Sequence, residues 1–221
     1  VLDRLNRHLA PHGLMFPVDV STSSRATIGG MTGNNSCGAR SIVYGTMRDN
    51  VAAIDAILAD GTKMHFGAVT GAADMPALTR DLLAIGVREK TEIAARFPDL
   101  MRRVGGYNID ALVAERRNTP VNLAHLLVGS EGTLAFSRQI TLELCATPSH
   151  KVLGVCHFPR FYEAMTATQR IVELGPAAVE AGRNHIPHLV VIVPARFMKR
   201  PRGDTRPLST AIGTTGRPSR L

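Results

Sequence analysis

Four glycines stand among threonine, asparagine and serine in the stretch Thr27-Ile28-Gly29-Gly30-Met31-Thr32-Gly33-Asn34-Asn35-Ser36-Cys37-Gly38, and no other segment constrains the chain as strongly. Glycine tolerates positive φ and presents its N–H with no side chain in the way, while short hydroxyls and amides add donors suited to phosphate or ribose oxygens. A phosphate-bearing cofactor is the natural guest of such a loop. The same composition also makes an ordinary Gly/Asn turn, so the rest of the chain has to decide.

Charge narrows the choice of partner. The net charge is +8, yet residues 183 to 221 hold eight Lys/Arg against the single acid Asp204, leaving 18 basic and 17 acidic residues before them. That tail also carries five of the 13 prolines, and beyond the apolar run His188 to Val193 it reads as disordered and solvated. A single aromatic residue, Phe197, stands among its basic residues, too few for a run of stacking positions, which argues against nucleic acid as a partner. No apolar run approaches the roughly 18 residues of a membrane span, though peripheral association stays open. Val1-Leu2-Asp3-Arg4 shows neither an initiator Met nor a leader pattern, so the sequence reads as a piece of something longer. Cys37, Cys145 and Cys156 lie too far apart for a disulfide framework or a metal spacing, which favours a reducing, cytoplasmic compartment. Cys37 is either a reactive or cofactor-linking thiol or a small residue filling a turn.

Periodicity supplies the scaffold. Leu2, Leu5 and Leu9 at helical spacing predict a helix ended by Pro11-His12-Gly13, followed by extended Leu14 to Pro17. Val51 to Leu58, the turn Asp60-Gly61 and the alternating Thr62 to Phe66 predict a β-hairpin. Met75 to Phe97 predicts two short helices broken near Gly86, and Asp110 to Arg117 a brief one. Leu126-Leu127-Val128 and Leu134 to Leu144 read as strands around a second polar glycine turn, Gly129-Ser130-Glu131-Gly132-Thr133. Beyond Pro148 come a strand, Lys151 to Phe158, and a helix, Phe161 to Leu174, with Met165, Ile171 and Leu174 inward. One strand and one helix cannot close a core, so this part calls for further elements.

Catalytic signals are thin. His65, His125 and His157 sit among apolar residues as structural histidines do, and no nucleophile–base pattern, metal-ligand set, Walker A loop or Rossmann fingerprint is present. Tyr44-Gly45 and Tyr107 could stack on or hydrogen-bond a ring, or merely anchor loops. Ser130, Glu131 and Thr133 could orient a ring or ribose, or in the case of Glu131 cap the turn.

Taken in order, Pro17-Val18-Asp19, Thr27-Ile28-Gly29-Gly30 through Asn34-Asn35-Ser36-Cys37-Gly38-Ala39-Arg40, Tyr44-Gly45, Arg48-Asp49, Leu58-Ala59-Asp60-Gly61, Gly106-Tyr107-Asn108 and Gly129-Ser130-Glu131-Gly132-Thr133-Leu134 resemble the FAD-linked oxidases of the vanillyl-alcohol oxidase (PCMH) type. Within them the chain is similar to the D-lactate, glycolate and D-2-hydroxyglutarate dehydrogenases, and most to long bacterial members with a C-terminal iron–sulfur region. The resemblance covers about residues 1 to 180. It implies an α+β fold: a partial FAD-binding domain over 1–149, mainly its second subdomain, the start of an α+β cap over 150–182, and a basic tail over 183–221 that is disordered or read in a shifted frame. The first subdomain would precede Val1, and most of the cap, with the groups that bind the acid and take its proton, would follow Glu180.

By the same resemblance FAD contacts Thr27, Ile28, Gly29, Gly30, Gly33, Asn34, Asn35, Ser36 and Gly38. Pro17 and Asp19 lie beside it, Tyr44 and Gly45 close its pocket, and Gly129, Ser130, Glu131, Gly132 and Thr133 lie near. No catalytic residue and no metal ligand is assigned. The implied activity is oxidation of a D-2-hydroxy acid to a 2-oxo acid by hydride transfer to flavin, with a separate electron acceptor. The alternatives are a non-catalytic remnant with weak or no FAD binding and, disfavoured by the Gly129 to Thr133 motif, a flavin-dependent reductase of nucleotide sugars.

Overall fold

The computed structural model describes residues 1–70, 75–98, 100, 102–113, 120–183 and 187–194. The chain divides into two units, Val1–Thr147 and a second beginning at Pro148.

In the first unit, helix α1 (Leu2–Leu9) buries Leu2 and Leu9 and carries Asp3 in its first turn and Arg7 and His8 in its last, the order its dipole favours. Pro11 opens a 3₁₀ turn and Gly13, at φ +67°, ends it in the left-handed region that other residues avoid. The chain then enters β1 (Leu14–Met15), antiparallel to β5 (Cys145–Ala146). The sheet of this unit is β3–β2–β4, with β2 (Val51–Ile57) between β3 (Lys63–Phe66) and β4 (Phe136–Leu142), both antiparallel to it. At the hairpin tip the Thr62 amide donates to Asp60 Oδ1 at 2.9 Å, the turn that Asp-Gly foretells. Behind the sheet Phe16, Val18, Met31, Met47, Ile54, Phe66 and Val128 are fully buried and form one core.

Two segments depart from the sequence reading. Ile28–Gly33 is a short helix, α2, where an open loop is expected; Thr27 caps it by accepting the Gly30 N–H at 3.1 Å. Burial of Met31 and Thr32 on its inner face outweighs the poor helix propensity of three glycines. Leu126 and Leu127 belong to helix α6 (Ala124–Leu127) and not to a strand, because Asn122 Oδ1 accepts the Ala124 N–H and starts a turn there. Between these lie the short α3 (Ser41–Tyr44) and a 3₁₀ turn, Arg48–Asn50.

The predicted helix pair is α4 (Ala77–Arg88) and α5 (Lys90–Arg96), but the break falls at Glu89. Gly86 stays helical because α4 presses there on the 3₁₀ turn Ile109–Leu112, where a Cβ would overlap the Leu112 carbonyl. The remainder of the expected helix to Arg117 lies outside the described residues.

The second unit is a three-stranded antiparallel sheet with one helix: β6 (Lys151–His157), α7 (Phe161–Glu173), β7 (Ala178–Arg183) and β8 (Pro187–Pro194), in the order β6–β8–β7. The apolar run that the sequence left inside the tail is thus the central strand, which supplies the partners a lone strand and helix lacked. On α7 the buried position is Ala164, while Met165 and Leu174 are exposed, so the inward face is rotated from the expected one. The small side chain at 164 lets the helix approach the sheet closely.

Candidate functional site

The two glycine segments, nearly a hundred residues apart in sequence, meet in the first unit. The Gly129 N–H donates to the Thr32 carbonyl at 2.9 Å, and the Glu131 N–H to the Gly33 carbonyl at 2.9 Å. Gly129 (φ +83°) and Gly132 (φ +74°) are in the left-handed region, and so is Glu131 at φ +53°, a non-glycine held there by its neighbours. A third segment joins them: the Tyr107 hydroxyl and Thr133 Oγ1 are 2.7 Å apart, and Thr133 Oγ1 also donates to the Ser130 carbonyl.

Together these segments form an exposed polar face. Thr27, Gly29, Gly30, Asn34, Gly105, Gly106, Tyr107, Glu131, Gly132 and Thr133 all reach solvent there. A Cβ built on Gly29, Gly105, Gly106 or Gly132 would meet nothing within 4 Å, so the backbone itself lies open to an incoming molecule. Such a face suits a large ligand held by main-chain amides and hydroxyls.

The remaining expected residues sit beside or beneath it. Asp19 accepts the Arg40 N–H through its carboxylate at 3.1 Å, and the absence of a Cβ on Gly38 lets this carboxylate approach the loop. Pro17 is buried. Gly45, at φ +74°, faces the Asp49 carboxylate, which accepts the N–H and hydroxyl of Thr46. The Tyr44 carbonyl accepts Asn50 Nδ2 at 2.7 Å. Asn34 Oδ1 accepts the Ser36 hydroxyl at 2.6 Å. Asn35 is different in kind: it is 1% exposed, accepts the Arg48 N–H at 2.9 Å and donates to the Arg103 carbonyl at 3.4 Å, so its side chain serves the interior.

Beneath the face lies a polar knot that the residue-by-residue reading did not find. Arg48 Nη1 donates to both oxygens of Asp110 at 3.1 and 3.2 Å and to Asn108 Oδ1 at 3.1 Å. Arg103 also pairs with Asp110 and donates to Asn108 Oδ1 at 3.2 Å. Asn108 Nδ2 in turn donates to the carbonyls of Val128 at 2.7 Å and His125 at 3.2 Å. Arg48 and Asp110 are buried, and Arg48 Nε has no hydrogen-bond partner. Arg103 further lies over the Phe97 ring, 4.7 Å from its centroid.

His125 adjoins this knot. Burial, chiefly, and then the Arg48 charge hold its imidazole below the ordinary value of 6.5, against the pull of Asp49, Val51 and Asp110. The folded protein therefore resists protonating His125 while the unfolded chain does not, so stability is fully present above about pH 6.5 and declines as pH falls through the window below it. Melting temperatures taken from neutral to mildly acidic pH should fall more steeply for the wild type than for His125→Gln; equal slopes would contradict this assignment.

Among the described residues no cluster of His, Cys, Asp or Glu could hold a metal ion, and no helix is long and apolar enough to cross a membrane. Cys37, Cys145 and Cys156 form no disulfide.

Residues 1–67, which run from α1 through β3 and include the first glycine segment, match the FAD binding domain family. The chain is 31% identical over 190 residues to D-2-hydroxyglutarate dehydrogenase of Pseudomonas putida, covering 81% of this chain and 19% of that protein. It is 32% identical over 192 residues to D-2-hydroxyglutarate dehydrogenase of Haemophilus influenzae, covering 81% and 19%. With the probable mitochondrial D-lactate dehydrogenase of Danio rerio the identity is 32% over 171 residues, covering 77% and 26%. The chain thus spans about a fifth of the length of the first two. Two solved structures of alkyldihydroxyacetonephosphate synthase share the fold: one at TM-score 0.56 and 15% identity, over 87% of this chain and 33% of that one, the other at 0.52 and 20%, over 81% and 24%.

Proposed function

We propose that the first unit of this chain, whose residues 1–67 match the FAD binding domain family and which is similar to D-2-hydroxyglutarate and D-lactate dehydrogenases, is the FAD-holding part of an enzyme that oxidises a D-2-hydroxy acid to a 2-oxo acid. The observation that carries this reading is the open glycine face, where the Thr32–Gly129 and Gly33–Glu131 hydrogen bonds join a segment inside the matched FAD-binding region to one outside it. The absent side chains at Gly29 and Gly132 leave room for a bulky cofactor to lie against main chain, so the residues present fit FAD.

When bound, FAD supplies the two-electron acceptor for the hydride that leaves the α-carbon of the hydroxy acid. This chain's residues bind and orient. The main-chain amides of Ile28, Gly29 and Gly132, which the internal hydrogen bonds leave over, would donate to the cofactor's anionic and carbonyl oxygens, the Thr27 hydroxyl would add a side-chain donor, and the Tyr107–Thr133 pair would line the face between them. Asn34 and Ser36 edge the same site, while Asn35 acts from below by fixing the turn. Pro17, Asp19, Tyr44 and Gly45 shape its border, with Asp19 holding the Arg40 amide in place. No residue here is assigned as the base that takes the hydroxyl proton. The division of the chain into an FAD-binding part, the beginning of a cap from about residue 150 and a basic tail belongs to the same proposal, as does a separate electron acceptor. Cysteines without disulfides support a reducing, cytoplasmic location.

Titration of the 221-residue chain with FAD tests the reading. Bound flavin absorbance and a melting temperature that climbs with FAD are expected, corresponding to about 2.7 kcal/mol of stabilisation at a hundredfold excess over Kd. A melt unmoved by FAD at any concentration would overturn it. Adding D-lactate or D-2-hydroxyglutarate to the flavin-loaded protein without oxygen then separates binding alone, which leaves the flavin oxidised, from turnover, which bleaches it.

A further inference from the structure

The hydrogen bonds beneath the glycine face close into a ring. From Thr32, whose carbonyl accepts the Gly129 N–H, the path runs along the backbone to Val128, whose carbonyl accepts Asn108 Nδ2. Asn108 Oδ1 accepts Arg48 Nη1, the Arg48 N–H donates to Asn35 Oδ1, and the Asn35 N–H returns to the Thr32 carbonyl at 3.3 Å. Every side chain in this ring is buried, Asn35 and Asn108 at 1% exposure. None of them faces the open surface, yet between them they tie both glycine segments to one point. Asp110 anchors the ring by accepting from Arg48 with both carboxylate oxygens, and Arg103 grips the same carboxylate and the same Asn108 oxygen.

We infer that Arg48, Asn108 and Asp110 are positioning residues for FAD: they set the register and spacing of the two glycine segments that hold it. The inference rests on the FAD reading above. Core packing alone does not require such a device, because buried ionic groups are costly to desolvate and apolar residues of like size fill a core at least as well. What the ring adds is direction. Arg48 Nη1, shared between the Asp110 carboxylate and Asn108 Oδ1, fixes the spacing of those two side chains, and the Asn108 amide passes it on to Val128, one residue before Gly129.

The test separates placement from stability. Arg48→Lys keeps the charge and loses the planar guanidinium that carries Nη1 to both Asp110 and Asn108; Asp110→Asn keeps an acceptor and loses the charge. Ile54→Val, in the β2 strand away from the ring, serves as a control destabilised by the loss of one buried methyl. FAD Kd is measured for all at a temperature where each is folded by its own melt. Kd should rise about tenfold or more for Arg48→Lys and Asp110→Asn and stay at the wild-type value for Ile54→Val, even where melting temperatures fall equally. In the two ring variants, FAD should also fail to slow amide exchange at Gly129 to Thr133. Unchanged Kd in both, or a rise in the control to match, would overturn the inference. Wild-type protein that binds no FAD would overturn the FAD reading itself and this inference with it.

Discussion

Asp110→Ala is expected to lower the unfolding free energy by about 3–5 kcal/mol, the loss that follows when one partner of a buried ion pair is removed. The carboxylate is shared by two guanidiniums, so its removal leaves Arg48 buried with Asn108 Oδ1 as its remaining side-chain acceptor. Arg48→Met should cost less, because Asp110 keeps Arg103 as its counter-charge and the methionine refills part of the space. The order is as diagnostic as the size. Against a typical total of about 5–15 kcal/mol, Asp110→Ala brings the protein close to the unfolding threshold. Urea midpoints give both numbers, and an Asp110→Ala variant within about 1 kcal/mol of wild type, or one more stable than Arg48→Met, would contradict the geometry of the knot.

Gly38→Ala is the second large effect. A Cβ at this position would overlap both the Asp19 carbonyl and the Asp19 carboxylate, and the obstacle is in part main chain, which cannot swing aside. Overpacking of this kind costs about 1–3 kcal/mol, and the upper part of that range is expected. The displaced carboxylate would also release the Arg40 N–H, and the Gly38 N–H would lose its 3.1 Å bond to Ser41 Oγ, loosening the end of the first glycine segment. A lower urea midpoint together with faster amide exchange at Arg40 is the expected outcome. A variant with the wild-type midpoint and an unchanged Arg40 amide would contradict the close approach.

What the sequence made legible depended on how local the cause was. Helix α1 follows from three leucines and a Pro-His-Gly stop within a dozen residues, and the β2–β3 hairpin from Asp60-Gly61 between two apolar strands. Helix α2 was hidden because Gly29, Gly30 and Gly33 disfavour a helix locally, and the burial of Met31 and Thr32 that overrides them depends on distant parts of the chain. The apolar run Leu126 to Val128 is compatible with either helix or strand, and the turn that the Asn122 side chain starts decided it. Strand β8 was obscured by the basic residues that follow it, since composition averaged over the tail masks eight residues of strand.

The candidate site divides in the same way. Its glycine segments announce themselves by composition, and their order along the chain carries the family resemblance. The knot beneath does not. Arg48, Asn108 and Asp110 are ordinary polar residues, the first 60 and 62 positions before the other two, and nothing in their local sequence says that they meet. Arg48-Asp49 and Tyr107-Asn108 stand among the motifs of the resemblance, so the signal was present as words of a pattern, without the contact that gives them meaning. Asn35 shows the converse: composition groups it with the exposed donors of its segment, whereas the structure commits it to the interior.

The central claim is that the segments Thr27 to Gly38 and Gly129 to Thr133 together hold FAD. Hydrogen exchange of the 221-residue chain, followed by mass spectrometry with and without saturating FAD, tests it most directly. Slower exchange in peptides covering both glycine segments, with strand β6 in the second unit unchanged, is the predicted result. Bound flavin with no slowing at either segment would contradict it.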